Sequence, residues 1–427
     1  MNRYYKIKSS VFSVYPRRRY CIFSGSNNFS EVRQVICDSL FLDRNERNKL
    51  IKSYEDLFGS LCGARVAISF GAGRMALYAI LEALDIGIGD EIIIPAFTCV
   101  VVPNAIIYRG ARPVYVDIEL KSFNIIASQI ERMINRKTKA LYAQHTFGVP
   151  CDIKTIRCLG IKYGLPVIED CAHALGAVIS DTPIGSQSDV AFYSTDHSKV
   201  INTHIGGIAV TNNVALASKL RIIQSKAKKF SCFQTWKVMV SFITEQLLLH
   251  PDVMWFGGLI YKILGRLGLL YFFRDELKTK LPDGYPMAGN SVQARIGLMQ
   301  LRAIDANLLH RRTIAYWLDQ KIKWYQLTKE EIDKSAWLRY SFLVRDREEF
   351  EARFKKRFEL GIWFKSVLSG RSDKFHEVGY TQGQCPNAEF AAKHIVNLPT
   401  HPKIRLAYLK ETFDNNEVFI NDQIIKL

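Results

Sequence analysis

Pro166-Val167-Ile168-Glu169-Asp170-Cys171-Ala172-His173 is the stretch that decides the fold. A proline opens it, two aliphatic residues follow, and two carboxylates close it. That pattern is a short buried strand delivering an acid to the rim of a sheet. Upstream, Ile153–Tyr163 reads as a helix, and Ala140–Gln144, Pro113–Asp117 and Glu91–Pro95 as further apolar strands. Phe70–Leu84 reads as a helix with Met75, Leu77, Ile80, Leu81 and Leu84 roughly on one face. Strands and helices alternate from about Val66 to Thr211. The strands are almost continuously apolar, which predicts a mainly parallel sheet covered on both faces. Ligands of such sheets lie at the carboxyl ends of the strands.

Beyond a break near Ala227–Lys229, residues 230–285 are aromatic and interrupted by glycine. After Ser291 a long helical pattern runs through QARIGLMQLRAIDANLLHRRTIAYWL. Leu338–Val344 then reads as a strand and Glu348–Glu359 as a helix. The predicted organisation is a large domain over 1–229, an apolar helical insert over 230–285, and a smaller α/β domain over 286–427.

The 427 residues are 48% hydrophobic and 12% aromatic, which suits a buried core and excludes a solvated coil. No repeat of solenoid length is visible. A net charge of +17 favours anionic partners. The basic residues are dispersed and no nucleic-acid motif accompanies them, so nucleic acid is not expected. The nine cysteines form no CxxC pair and their number is odd. That argues against a disulfide framework and a structural zinc site, and suits a reducing, cytoplasmic compartment. The N-terminus is basic without an apolar core, so no signal peptide is expected. Ile92–Tyr108 carries no charge, but Pro95 and Pro103 break it as a membrane span.

Three local patterns carry chemistry. Asp170 ends its strand with His173 three residues on. Ser194-Thr195-Asp196-His197-Ser198-Lys199 precedes Gly206-Gly207. Gly71-Ala72-Gly73-Arg74 opens a helix. Alone, Asp170 reads as a helix cap, Lys199 as a solvated charge, and the glycines as a turn. Together they match what pyridoxal 5'-phosphate (PLP) requires: a lysine for a Schiff base, an acid for the pyridinium nitrogen, and backbone N–H groups at a helix start for phosphate.

From about residue 40 to 410 the chain resembles the DegT/DnrJ/EryC1/StrS family of PLP-dependent sugar aminotransferases. The matches run in order: Pro95-Ala96-Phe97-Thr98, Gly110 to Ile118, His145 to Asp152, Ile168 to Ala177, Lys199 to Gly207, Gln293 to Leu301, and Leu398 to Pro402. The resemblance implies the type I aspartate-aminotransferase fold, with a smaller C-terminal domain. It implies Lys199 as the Schiff-base lysine, Asp170 as partner of the pyridinium nitrogen, and His173 near the phenolic oxygen. Ser194 would bind phosphate, with Gly73, Arg74 and the Met75 N–H. It also implies an amino-acid donor, usually glutamate, a nucleotide-linked keto-sugar acceptor, and a homodimer. The pathways it suggests are glycan or secondary-metabolite sugar biosynthesis. A sugar dehydratase and a non-catalytic regulator are the alternatives; the retained Lys199, Asp170 and Ser194 favour transamination.

Three departures stand out. Cys99 occupies the position of an aromatic residue that stacks on the cofactor; either Phe97, on the same strand face, substitutes for it, or the ring is gripped differently. Gln144 replaces an apolar residue. Trp363-Phe364-Lys365-Ser366-Val367-Leu368 replaces the usual substrate segment. In the insert, Trp255, Phe256, Leu259, Ile260, Ile263, Leu264, Leu267, Leu270 and Phe273 form an apolar face, with Lys262, Arg266 and Arg274 beside it. Glu245, Asp252, Lys262 and Arg266 interrupt any spanning run. Two readings stand: a helical pair covering the dimer interface or active-site mouth, or an interfacial hairpin making peripheral membrane contact.

Overall fold

A computed structural model describes residues 19–23, 25–41, 43–272, 278–360 and 364–427. Phe273, Arg274 and Trp363 lie outside the described residues. The large domain is built on seven strands: β1 (Val66–Phe70), β2 (Glu91–Pro95), β3 (Arg112–Val116), β4 (Thr138–Gln144), β5 (Val167–Asp170), β6 (Val190–Ser194) and β7 (Gly207–Thr211). Their order across the sheet is β1-β7-β6-β5-β4-β2-β3. The pairs from β6 through β3 are parallel, and β7 runs antiparallel to both neighbours. The strands are buried on both faces, as their apolar runs require.

Helix α1 (Gly73–Ala83) follows β1, and α2 (Ile153–Tyr163) precedes β5 with Asp152 as its N-cap and Gly164 in the left-handed conformation at its end. The predicted helix Phe70–Leu84 therefore begins three residues late. Phe70 belongs to β1, because its backbone completes the ladder with Gly207. Ile92–Tyr108 divides into β2, the two-residue strand Thr98–Cys99 and a helix from Val101, whose first turn accommodates Pro103.

The insert forms α3 (Cys232–Leu248) and α4 (Met254–Arg266). The long helix predicted after Ser291 is two, α5 (Ser291–Arg302) and α6 (Ile304–Ile322), separated at Ala303. The smaller domain pairs β8 (Arg339–Leu343) with β9 (Ile395–Pro399) antiparallel. The helix after β8 covers Arg347–Phe354, shorter than the predicted Glu348–Glu359. All nine cysteines are free.

Candidate active site

Alternation along β5 sends Glu169 and Asp170 to opposite sides. Glu169 is fully buried and accepts from His145 Nε2 (2.9 Å), Gly185 N–H (2.6 Å) and the Ser188 hydroxyl (2.8 Å). That network anchors the strand end and leaves Asp170 to the site. Asp170 is buried; its Oδ2 accepts from the Tyr142 hydroxyl at 2.6 Å and its Oδ1 from the Ala172 N–H at 2.9 Å. Burial pushes its carboxyl above the usual range, against Tyr142, Ala172 and Lys199. Among the described residues no cation stands at ion-pair distance from it. A protonated ring nitrogen would supply that missing charge.

Lys199 is also buried, and burial holds its ammonium below the ordinary lysine range, with Asp196, Cys99 and Asp170 opposing. A lysine so placed loses its proton more readily and becomes a nucleophile. His173 accepts the Phe147 N–H on Nδ1 at 3.2 Å, so Nε2 is the nitrogen that carries a proton when the ring is neutral. Burial, Lys199 and Arg339 together keep the His173 ring neutral, well below its usual range. Phe147 makes this possible by adopting φ 55°, and its ring lies parallel to His173 at 5.9 Å. Gly148, next in line, has φ +92°. A Cβ there would stand 2.7 Å from the Trp337 nitrogen and 2.9 Å from the His173 carbonyl oxygen, so only glycine lets the small domain approach.

The phosphate cup forms where α1 starts. Ala72 is the N-cap and offers no side-chain hydrogen bond, leaving the first N–H groups to an external anion. Gly73 abuts Ser194: a Cβ on Gly73 would fall 2.8 Å from the Ser194 Cβ. Gly207 closes in from the other strand, where a Cβ would meet the Gly73 nitrogen at 2.3 Å. Arg74 lies close enough to Tyr271 of the insert to oppose the effect of burial on that phenol. Met75 is placed differently from expectation. Its N–H donates to the Ala72 carbonyl at 3.0 Å, and its sulfur accepts the Met287 N–H at 3.3 Å. The Met75 N–H is therefore committed within the helix start.

Phe97 does not replace the missing aromatic. It is fully buried and its ring stacks on Phe364 at 4.4 Å and Phe123 at 6.0 Å, so no face is left for a cofactor. Cys99 keeps the position, half-buried and electrostatically coupled to Lys199. Its two-residue strand pairs in parallel with Leu368–Ser369, from the end of the unusual segment. Gln144 is fully engaged: it accepts the Thr98 hydroxyl at 2.6 Å and donates to the Phe97 carbonyl and the Thr146 hydroxyl, both at 2.9 Å.

Two features escaped sequence reading. A cavity beside Lys199 is lined by Ser198, Arg311, Arg339 and His401. Burial pushes both guanidinium groups down to about 9, against the charge of Glu359 in the case of Arg339; among the described residues Arg311 bonds neutral partners, Asn307, Leu338, Thr400 and Ser26. Such a pocket favours a carboxylate. No local signal marks these arginines; they sit in ordinary helix and strand patterns.

The second feature is Glu245 of α3. Its Oε1 receives His204 Nδ1 (3.0 Å), His197 Nδ1 (3.3 Å) and the Tyr261 hydroxyl (2.9 Å). The donors converge on one oxygen, which makes the group a hydrogen-bonded knot. Burial would raise the Glu245 carboxyl, but His204 and His197 outweigh it and hold it well below the usual carboxylate range. The insert is thus tied to both flanks of Lys199.

A buried lysine, a buried acid with no cation at ion-pair distance among the described residues, and a glycine-lined cup at a helix start fit PLP, and the fold and site define a PLP-dependent transferase. Residues 27–414 match the DegT/DnrJ/EryC1/StrS aminotransferase family, and the chain belongs to it. It is therefore a PLP-dependent aminotransferase. It is 30% identical to the GDP-perosamine synthase of Caulobacter vibrioides over 274 residues, 64% of this chain and 62% of that protein, so the match spans less than two thirds of that relative. A pleiotropic regulatory protein of Geobacillus stearothermophilus is 26% identical over 379 residues, covering 88% of this chain and 90% of that one. The crystal structure of DesI with its TDP-sugar product superposes with a TM-score of 0.71 at 18% identity, over 96% of this chain and 95% of that one.

Proposed function

We propose that this enzyme moves an amino group from glutamate to a keto-sugar carried on a nucleoside diphosphate. The observation that carries the reading is the convergence of Lys199, Asp170 and the Gly73–Ser194 cup at one edge of the sheet. PLP, when bound, supplies the electron sink that lets the donor's α-proton leave. Lys199 is placed to hold and return that proton: burial lowers its ammonium so that it gives a proton up, while Asp196, Cys99 and Asp170 oppose burial and keep the amine able to accept one. Asp170 holds positive charge at the ring nitrogen, with its own orientation set by Tyr142 and the Ala172 N–H. His173 presents its Nε2–H to an oxygen acceptor. Arg339, with Arg311 behind it, anchors a donor carboxylate.

The names of the Caulobacter synthase and of the DesI complex support a nucleotide-linked acceptor, and the chain's charge of +17 suits a diphosphate. As in type I relatives, we infer a homodimer in which each subunit completes its partner's site. Among the described residues no helix is long and apolar enough to cross a membrane. We place the reaction in the cytoplasm, with a peripheral membrane contact through the 230–285 insert.

The test is the visible absorbance of PLP-loaded protein before and after excess glutamate, followed by mass spectrometry with GDP- and dTDP-linked keto-sugars. The expected result is loss of the bound-PLP band on adding glutamate, and a ketone-to-amine mass change in a sugar nucleotide. A band that glutamate leaves untouched would sink the donor assignment. PLP-free protein at saturating PLP would revive the regulatory reading.

A further inference from the structure

The helix α4 is apolar on the side that faces away from the protein. Met254, Gly257 and Tyr261 turn inward and are buried. Trp255 (62% exposed), Leu259 (64%) and Leu267 (67%) turn outward, joined by Phe256, Ile260 and Ile263. At 100° per residue these six fall within one stripe. Leu270, expected on this face, is buried, and Leu264 is half-buried. The helix is apolar on two sides, and the described residues cover only one of them.

Charge says what the second is. Lys262 and Arg266 run along the Trp255 edge of the stripe. The Lys262 ammonium is held below its usual range by partial burial and by the charges of Arg266 and Arg19. The chain itself arrives here, since the Arg19 N–H bonds the Pro251 carbonyl at the turn between α3 and α4. Among the described residues 251–267, Asp252 is the one acid, and it lies 3.6 Å from His250. An apolar stripe rimmed by cations matches a bilayer with anionic headgroups. A two-fold contact through the same patch would bring both copies' cationic edges together.

We propose that the outward face of α4, with its basic rim, docks the enzyme on an anionic lipid surface. This deepens the peripheral contact placed on the insert above and does not depend on the substrate. On the inner side, the Glu245 knot seats the insert on the Lys199 segment, so docking orients the catalytic domain as well.

The experiment is sedimentation of full-length, PLP-loaded protein with phosphatidylcholine vesicles, with and without phosphatidylglycerol. Light scattering gives the oligomeric mass, and absorbance reports bound PLP in every variant. The expected result is retention on phosphatidylglycerol vesicles alone. Leu259→Glu with Leu267→Glu lowers it about tenfold or more. Lys262→Gln and Arg266→Gln lower it about fivefold each. PLP absorbance stays unchanged in all of them, so the catalytic reading is judged separately. Equal sedimentation of wild type and variants, or none on anionic vesicles, overturns the proposal. So does a fall in oligomeric mass on Leu259→Glu with Leu267→Glu in a protein that ignores vesicles, which would assign the face to a second copy.

Discussion

Replacing Glu245 by Gln tests whether the insert stabilises the catalytic segment. The carboxylate is buried and bonded to His197, His204 and Tyr261 through one oxygen. Gln keeps the size but removes the charge facing two imidazoles. Breaking a buried charge cluster from one side costs about 3–5 kcal/mol. The unfolding entropy of a chain of 427 residues is about 0.9 kcal/mol/K. The melting temperature should therefore fall by about 3–6 °C at pH 7. The pH dependence has a definite sign. The Glu245 carboxyl lies below its unfolded value, so its stabilisation is present above the ordinary glutamate value of about 4.3 and is lost as pH falls below it. The gap between wild type and Glu245→Gln should narrow in acid. Differential scanning fluorimetry from about pH 2.5 to pH 8, at saturating PLP, measures both. A variant melting within about 1 °C of wild type at pH 7 would refute the reasoning, because it would mean the knot contributes less than one neutral hydrogen bond.

Gly207→Ala places a Cβ 2.3 Å from the Gly73 nitrogen; the strain of about 1–3 kcal/mol should weaken PLP binding roughly 10- to 100-fold, read by fluorescence titration. Burial lowers the Lys199 ammonium, so capture of PLP by apoprotein should rise with pH and level off below about 10.4, the ordinary lysine value. Stopped-flow absorbance measures this, and a rate still climbing past that value would contradict it. Arg339→Gln should raise KM for glutamate roughly 10-fold or more while leaving KM for the sugar nucleotide nearly unchanged; equal effects on both would remove Arg339 from the donor pocket.

Much of this was legible in the chain itself. Strand and helix periods gave the order of elements, since burial on two faces forces apolar runs such as Ile92–Ile94. Asp170, Lys199 and Gly73 each read blandly alone, and became candidates only through their combination and through the ordered motifs of the family resemblance. Boundaries were read less well. Phe70 reads as helical locally because its strand role depends on Gly207, 137 residues away.

What tertiary structure alone decided lies in contacts between distant segments. Phe97 reads as a stacking candidate until Phe123 and Phe364 are seen against its ring. Met75 reads as an N–H donor until its bond to Ala72 appears. Arg311 becomes an anion-binding group only by reaching Leu338, Thr400 and Ser26, 285 residues away in the last case. Glu245 looks like a charge interrupting an apolar helix until His204, 41 residues back, is found beneath it. The physical reason is one of range. Backbone periodicity and helix-start chemistry act over a few residues and are written locally. Whether a buried charge has partners, and whether an apolar face has cover, depends on which remote segments the fold brings to it.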